Sequence, residues 1–236
     1  MITITTTKRT TKTAIPPVSD ALSMTTPAEA PLDCPLCPRL VAYRRDNDAA
    51  HPDWFNAPVP SFGDAKARLL IVGLAPGVQG ANRTGRPFTG DYAGDLLYGT
   101  LIEFGFASGT YDARPDDGLE LKDAMITNAV RCVPPQNKPT PAEAKNCLPF
   151  LQSRIAALPE LKAILALGRI AHDAVLSAQG IRKAAAPFGH GAAHELSGGV
   201  RLFDSYHCSR YNTNTRRLTP EMFRSVFSAI KSCLES

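Results

Sequence analysis

The sequence predicts an α/β fold built on a parallel sheet with helices on both faces. Three observations carry this. Four short apolar runs recur along the chain, at 68–74 (RLLIVGL), 124–130 (AMITNAV), 162–167 (KAILAL) and 200–206 (VRLFDSY). Each is bounded by turn signals and is too short for a helix, which suits a buried strand. Helical patterns lie between the runs, and strands alternating with helices pack as a parallel sheet covered on both sides.

A chain of 236 residues, 44% hydrophobic and 20% charged, has ample apolar material for one sizeable α/β domain with an extra tail. Residues 1–32 are rich in Thr, Ala and Pro and hold almost no large apolar side chains, so a poorly ordered tail is expected there. They contain no apolar stretch of the secretory-signal kind. Residues 33–236 are expected to form a single domain. Within it, 40–53 suits a short amphipathic helix before a loop that runs to Ser61. The run 68–74 is the first strand and breaks into a glycine- and proline-rich loop (APGVQGANRTGRPFTGD). Residues 95–104 suit a helix with Leu96, Leu97, Leu101 and Ile102 inward. After the second strand and a loop at 134–141, Thr140 is placed to cap a helix, with Pro141 at its first position and Glu143 completing a capping box. The third strand enters a helix after Gly168. After the fourth, Thr219 and Pro220 start a last amphipathic helix that reaches about Leu234. Open parallel sheets bind ligands at the carboxyl ends of their strands, so the loops after Leu74, Val130 and Tyr206 are expected to converge on one rim.

No apolar run approaches the roughly 20 residues of a membrane span, and a cytoplasmic location is expected. Structural disulfides are uncommon there, so the six cysteines need another explanation. Cys34 and Cys37 form C-x2-C; Cys132 and Cys147 are separated by fourteen residues; Cys208 and Cys233 stand apart. A pair and two spaced singles can ligate a zinc ion or an iron–sulfur cluster, and spacing does not choose between them. The net charge is only +4, but arginines cluster: Arg39, Arg44 and Arg45; Arg83 and Arg86; Arg210, Arg216 and Arg217. Clusters of this kind can replace counterions along a phosphate backbone.

Four motifs then carry a resemblance. GLAPG (73–77), NRTGRPFTGD (82–91), TNAVRCVPPQNKPT (127–140) and HCSRYNTNTRRLT (207–219), in this order around these cysteines, resemble the family 5, UDGb-type, uracil-DNA glycosylases. The resemblance covers most of residues 34–232. It implies the uracil-DNA glycosylase fold, a three-layer α/β/α arrangement with a central four-stranded parallel sheet. It implies a [4Fe-4S] cluster on Cys34, Cys37, Cys132 and Cys147 that pins the N-terminal segment to the loop after the second strand. It also implies a monomeric repair enzyme of the bacterial cytoplasm and nucleoid. Its substrate would be DNA containing uracil or other deaminated bases such as hypoxanthine and xanthine.

A base inside a duplex is out of reach of any catalyst, so such an enzyme flips it into a pocket at a cost of a few kcal/mol. Under the resemblance, Phe88 stacks on the flipped base. Asn128 reads its O4 and N3–H edge, since an amide offers both donor and acceptor. His207 donates to O2, where negative charge builds as the base leaves. Gly73, Leu74, Ala75, Pro76 and Gly77 shape the pocket, and Asn82 is a further candidate for its wall. Ser209 and Arg210 begin a loop, continued by Tyr211 and Asn212, that enters the DNA. GLAPG lacks the carboxylate or amide that activates water in several related families. Asp91 and Asp95 lie nearby but read better as a turn cap and a first-turn helix residue. Cys208 stands where the family usually has proline, which frees the backbone beside His207. Two other classes are weighed. A non-catalytic nucleic-acid-binding module with a metal or cluster clip would explain the cysteines and arginines, but not Phe88, Asn128 and His207 on one rim. A phosphate-cradling nucleotide enzyme is disfavoured by the absence of G-x-G-x-x-G and of a Walker lysine.

Overall fold

The computed structural model describes residues 28–236. Most of the expected tail, residues 1–27, lies outside the described residues. From Ala28 onward the chain already packs. The Glu29 carboxylate accepts from Arg131 Nη1 at 3.0 Å and from the Ser61 amide at 2.9 Å, and it also pairs with Arg154.

In chain order the elements are α1 (Pro38–Ala50), β1 (Phe62–Gly63), β2 (Leu69–Gly73), α2 (Ala81–Thr84), α3 (Tyr92–Glu103), β3 (Ala107–Ser108), β4 (Glu120–Leu121), β5 (Ala124–Asn128), α4 (Pro141–Ala156), β6 (Ala163–Leu167), α5 (Arg169–Ala178), β7 (Ala193–Glu195), β8 (Arg201–Ser205), α6 (Arg210–Asn214) and α7 (Pro220–Glu235). The four apolar runs become β2, β5, β6 and β8, which pair in parallel in the order β5-β2-β6-β8. Two edge strands extend this core: β1 runs antiparallel to β5 and β7 antiparallel to β8. The sheet is therefore six-stranded and mixed at its margins. At two and three residues the edge strands are too short to show alternation in a sequence. β3 and β4 form a separate two-stranded ladder.

Alternate residues of each central strand face opposite layers. Leu69, Ile71, Ile126, Leu165 and Phe203 pack with Leu97 and Leu101 of α3 and with Phe223, Phe227 and Ile230 of α7. Leu70, Val72, Met125, Ile164 and Leu202 pack on the other face, with Leu151 of α4 and Val175 and Leu176 of α5. Each of these large side chains contributes about 1.5–3 kcal/mol on burial, which is why the continuous apolar runs hold the centre of the molecule.

Helix ends follow local chemistry. Thr140 Oγ1 accepts from the Glu143 amide at 3.2 Å while Glu143 Oε2 accepts from the Thr140 amide at 2.7 Å, the capping box expected from sequence. Thr219 caps α7 through the Met222 amide. α1 begins at Pro38, directly after Cys37, and ends at Ala50, short of the expected Asp53. α3 begins at Tyr92, three residues before the expected start, because Asp91 takes the extended conformation of an N-cap. Behind β8, His172 Nδ1 meets Asp204 Oδ1 at 2.7 Å and His172 Nε2 meets the Ala186 carbonyl at 2.9 Å. Both ring nitrogens are thus engaged by acceptors, and the contact ties α5 and the loop before β7 to the sheet.

Candidate active site

The loops that follow β2, β5 and β8 enclose a cavity of about 320 Å3 at the carboxyl end of the sheet. Leu74, Ala75, Pro76 and Gly77 come from the first loop, with Phe88, Asp91, Tyr92 and Ala93 from its far end. Asn128 and Asn137 come from the second, and His207, Ser209 and Arg210 from the third. The convergence expected of three distant stretches is therefore present. Tyr92 and Asn137 were not singled out in the sequence, and nothing local to either residue marks them.

Phe88 forms one wall. It holds a left-handed backbone conformation, φ +53°, which is uncommon for a residue other than glycine and costs on the order of 1 kcal/mol or more. Hydrogen bonds over-determine it. Tyr98 donates to the Pro87 carbonyl at 2.6 Å and Tyr111 to the Phe88 carbonyl at 3.1 Å. Gly94 lets α3 approach, since a Cβ there would stand 2.0 Å from the Phe88 carbonyl oxygen. The Phe88 ring lies 5.8 Å from the His207 ring, centroid to centroid, at 28°.

Asn128 ends β5, in register with Gly73 at the end of β2. Its Oδ1 is buried without a hydrogen-bond partner, a state that costs about 1–3 kcal/mol and marks an acceptor free for a ligand. Gly73 is not part of the cavity wall. It lies beneath Asn128 and Phe88, where a Cβ would meet Asn128 Oδ1 at 2.4 Å and the Phe88 ring at 2.7 Å.

His207 follows β8 and is half-buried. Asn212 Nδ2 donates to its carbonyl at 2.8 Å and fixes its backbone. Burial pushes the imidazole pKa down to about 4, so at neutral pH the ring is uncharged and presents one N–H. Cys208 beside it is fully buried, and burial pushes its thiol pKa up. It is a passive neighbour rather than an accessible nucleophile.

Two carboxylates separate. Asp95 sits in the first turn of α3, outside the cavity lining. Asp91 is the N-cap by conformation, yet its side chain makes no cap hydrogen bond. It lines the cavity instead, with Oδ1 buried and unpartnered, and burial raises its pKa. Asn82 is fully buried away from the cavity lining, and its Nδ2 donates to Asn56 Oδ1 at 2.9 Å.

The arginines also sort. Arg86 is not a surface cation. It is buried, doubly bonded to Asp117 at 2.7 and 2.8 Å, and surrounded by Phe62, Tyr98 and Tyr111. Arg44 is buried on the Leu32 and Cys34 carbonyls, and Arg39 is paired with Glu143. Arg45, Arg83, Arg210, Arg216 and Arg217 are exposed.

Cys34, Cys37, Cys132 and Cys147 line one small enclosure with Leu36, Leu40 and Phe150. All are free thiols. The Arg131 amide donates to Cys147 Sγ at 3.3 Å and Asn146 Nδ2 to Cys37 Sγ at 3.7 Å. Burial pushes the Cys132 and Cys147 pKa values up to about 12 and about 11, so thiolates here require a cation between them. Among the described residues, the one His, Cys, Asp or Glu group whose ligand atoms all lie within 4.8 Å is His172, His194 and Asp204, so no three of these sulfurs come that close together. A single tetrahedral zinc, with Zn–S near 2.3 Å, needs sulfurs about 3.8 Å apart.

Comparison with known proteins matches residues 60–231 to the family model described as the uracil DNA glycosylase superfamily. The chain is 50% identical over 204 residues to the type-5 uracil-DNA glycosylase of Thermus thermophilus, spanning 84% of this chain and 92% of that one. It is 44% identical over 207 residues to the type-5 uracil-DNA glycosylase of Mycobacterium bovis, spanning 84% and 77%. It is 42% identical over 199 residues to that of Pyrobaculum aerophilum, spanning 83% and 86%.

Proposed function

Because this chain belongs to the uracil-DNA glycosylase superfamily and is a DNA-repair glycosylase of the type-5 group, we propose that the cavity between Phe88, Asn128 and His207 receives the flipped base. The observation that carries this is the meeting of a ring, an amide acceptor without a partner and an uncharged imidazole in one hollow. Phe88 offers its face to the ring. Asn128 Oδ1 accepts from N3–H, which removes the cost of its burial, and its Nδ2 donates to O4. As the N1–C1′ bond breaks, the electron pair passes to the base and charge collects on O2. The neutral His207 N–H stabilises it, worth a factor of about 10²–10³ by analogy with oxyanion donors. The sugar becomes oxocarbenium-like and takes a water at C1′. Asp91, whose carboxylate lines the cavity, orients that water and receives its proton. Ser209 and Arg210 lie at the DNA side, and Tyr211, 72% exposed, is placed to fill the vacated stack. The small residues Ala75, Gly77, Ala81 and Ala93 leave room for bicyclic deaminated bases such as hypoxanthine and xanthine.

A [4Fe-4S] cluster on Cys34, Cys37, Cys132 and Cys147 fits the enclosure better than zinc. The sulfurs are spread too widely for one ion, two N–H groups point at them, and the remaining wall is apolar. When bound, the cluster supplies a rigid cross-link rather than redox chemistry. Cys132 lies four residues beyond Asn128, so the link steadies the base reader. Free thiols suit a cytoplasmic protein, and no helix among the described residues is long and apolar enough to cross a membrane. The enzyme works on DNA as a monomer in this reading. The test is excision from a labelled uracil-containing oligonucleotide, with alkali to cut abasic sites, by the wild-type protein and by Asn128→Ala and Asp91→Asn. Loss in both variants is expected. Wild-type rates in both would remove the proposed site. A visible absorbance band lost in Cys34→Ser tests the cluster.

A further inference from the structure

Tyr92 and Arg210 are the first residues of α3 and α6, so they come from the loops after β2 and β8. Both line the cavity. Arg210 is exposed, and its guanidinium lies over the Tyr92 ring, 5.2 Å from the centroid, which joins the two loops. Among the described residues neither side chain has a hydrogen bond or ion pair, so each has only the other as a polar partner. Their backbones are fixed: Tyr92 by α3, and Arg210 by the Ser209 cap and by the Asn212 bond to the His207 carbonyl. Tyr92 remains 38% exposed. What can move is therefore the contact between the two side chains and not a loop.

We propose that Tyr92 holds Arg210 in reserve at the base cavity, and that DNA draws Arg210 from the Tyr92 ring onto a phosphate beside the extruded nucleotide. This rests on the base-cavity reading above. A guanidinium gives up a weak aromatic contact for a charge-assisted bond to phosphate. Tyr92 thus competes with DNA for Arg210 until a backbone arrives. An exposed cation–π contact is weak, equivalent to about a two- to fivefold change in an equilibrium. The contact therefore yields readily and lowers DNA affinity only modestly.

The test is single-turnover uracil excision from a duplex, with half-saturating enzyme concentration measured across a salt series. Tyr92→Leu, which removes the ring face and keeps bulk, should lower half-saturation about two- to fivefold. Tyr92→Phe, which keeps a face, should restore the wild-type value. Arg210→Gln should raise half-saturation and reduce the slope of log K against log salt by about 0.9, one phosphate contact. In the Arg210→Gln background, Tyr92→Leu should do nothing more. Unchanged or weaker binding in Tyr92→Leu overturns this competition, as does a Tyr92→Leu gain that persists without Arg210, or an unaltered salt slope in Arg210→Gln. Absence of excision by the wild-type enzyme would instead sink the glycosylase reading itself.

Discussion

Gly73→Ala isolates the geometry of the cavity from its chemistry. The added Cβ would lie 2.4 Å from Asn128 Oδ1 and 2.7 Å from the Phe88 ring. Ordinary contact begins near 3.4 Å, so the amide must retreat by about 1.0 Å and the ring by about 0.7 Å. Gly73 ends a buried central strand paired on both sides of β2, so its backbone cannot yield in their place. Overpacking of this kind costs about 1–3 kcal/mol of stability. Displacing a positioning group by about 1 Å costs on the order of 10²-fold in rate. The variant should therefore fold with a modestly lowered urea midpoint and excise uracil about a hundredfold more slowly under single-turnover conditions. Wild-type rates from a folded Gly73→Ala protein would refute the claim that Asn128 and Phe88 must keep their observed places. So would a rate loss that tracks the unfolded fraction.

Three further outcomes follow from buried groups. His207→Ala should lower the single-turnover rate about 10²–10³-fold at neutral pH, and a wild-type rate from the folded variant would contradict the assignment. The folded pKa of His207 lies below the unfolded value of 6.5, so the associated stability is present above 6.5 and lost as pH falls towards 4, a slope that equilibrium unfolding of His207→Gln should lack. Asp117→Asn should cost about 3–5 kcal/mol in urea unfolding, since it leaves the buried Arg86 without its counter-charge. The Arg86 hydrogen bonds hold the Asp117 carboxyl well below its usual 3.8, so the same stability in the wild type is present above that value and lost in stronger acid. Deleting residues 1–32 should cost a similar about 3–5 kcal/mol by stripping Glu29 from the buried Arg131; a truncated protein as stable as the full chain would show that the pair contributes nothing.

The sheet was legible because its four central strands are buried on both faces and so read as unbroken apolar runs. β1 and β7 were not, because a short edge strand is set by its neighbour rather than by its own pattern. Thr140, Pro141 and Glu143 announced their helix through bonds made within four residues. The cavity was half legible: Phe88, Asn128 and His207 stand in motifs, and the order of strands brings them together. Arg86 falls outside the phosphate-facing cluster its sequence suggests because its partner Asp117 lies 31 residues away, and nothing local predicts that three aromatic rings will surround it. Asp91 looked like a cap because its backbone is one; only the packed structure shows the carboxylate turned inward. Tyr92 carried no signal, since its meaning depends on an arginine that follows it by more than a hundred residues.

The left-handed turn at Phe88 shifts an expense from the encounter with DNA to the folding of the chain. A ring that had to be ordered on arrival of a base would forfeit about 0.5–1.5 kcal/mol of affinity. Here the tyrosines and Gly94 have already immobilised it, and the interior they belong to bears the strain. The wall against which the base comes to rest is thus as finished in the searching enzyme as in the engaged one.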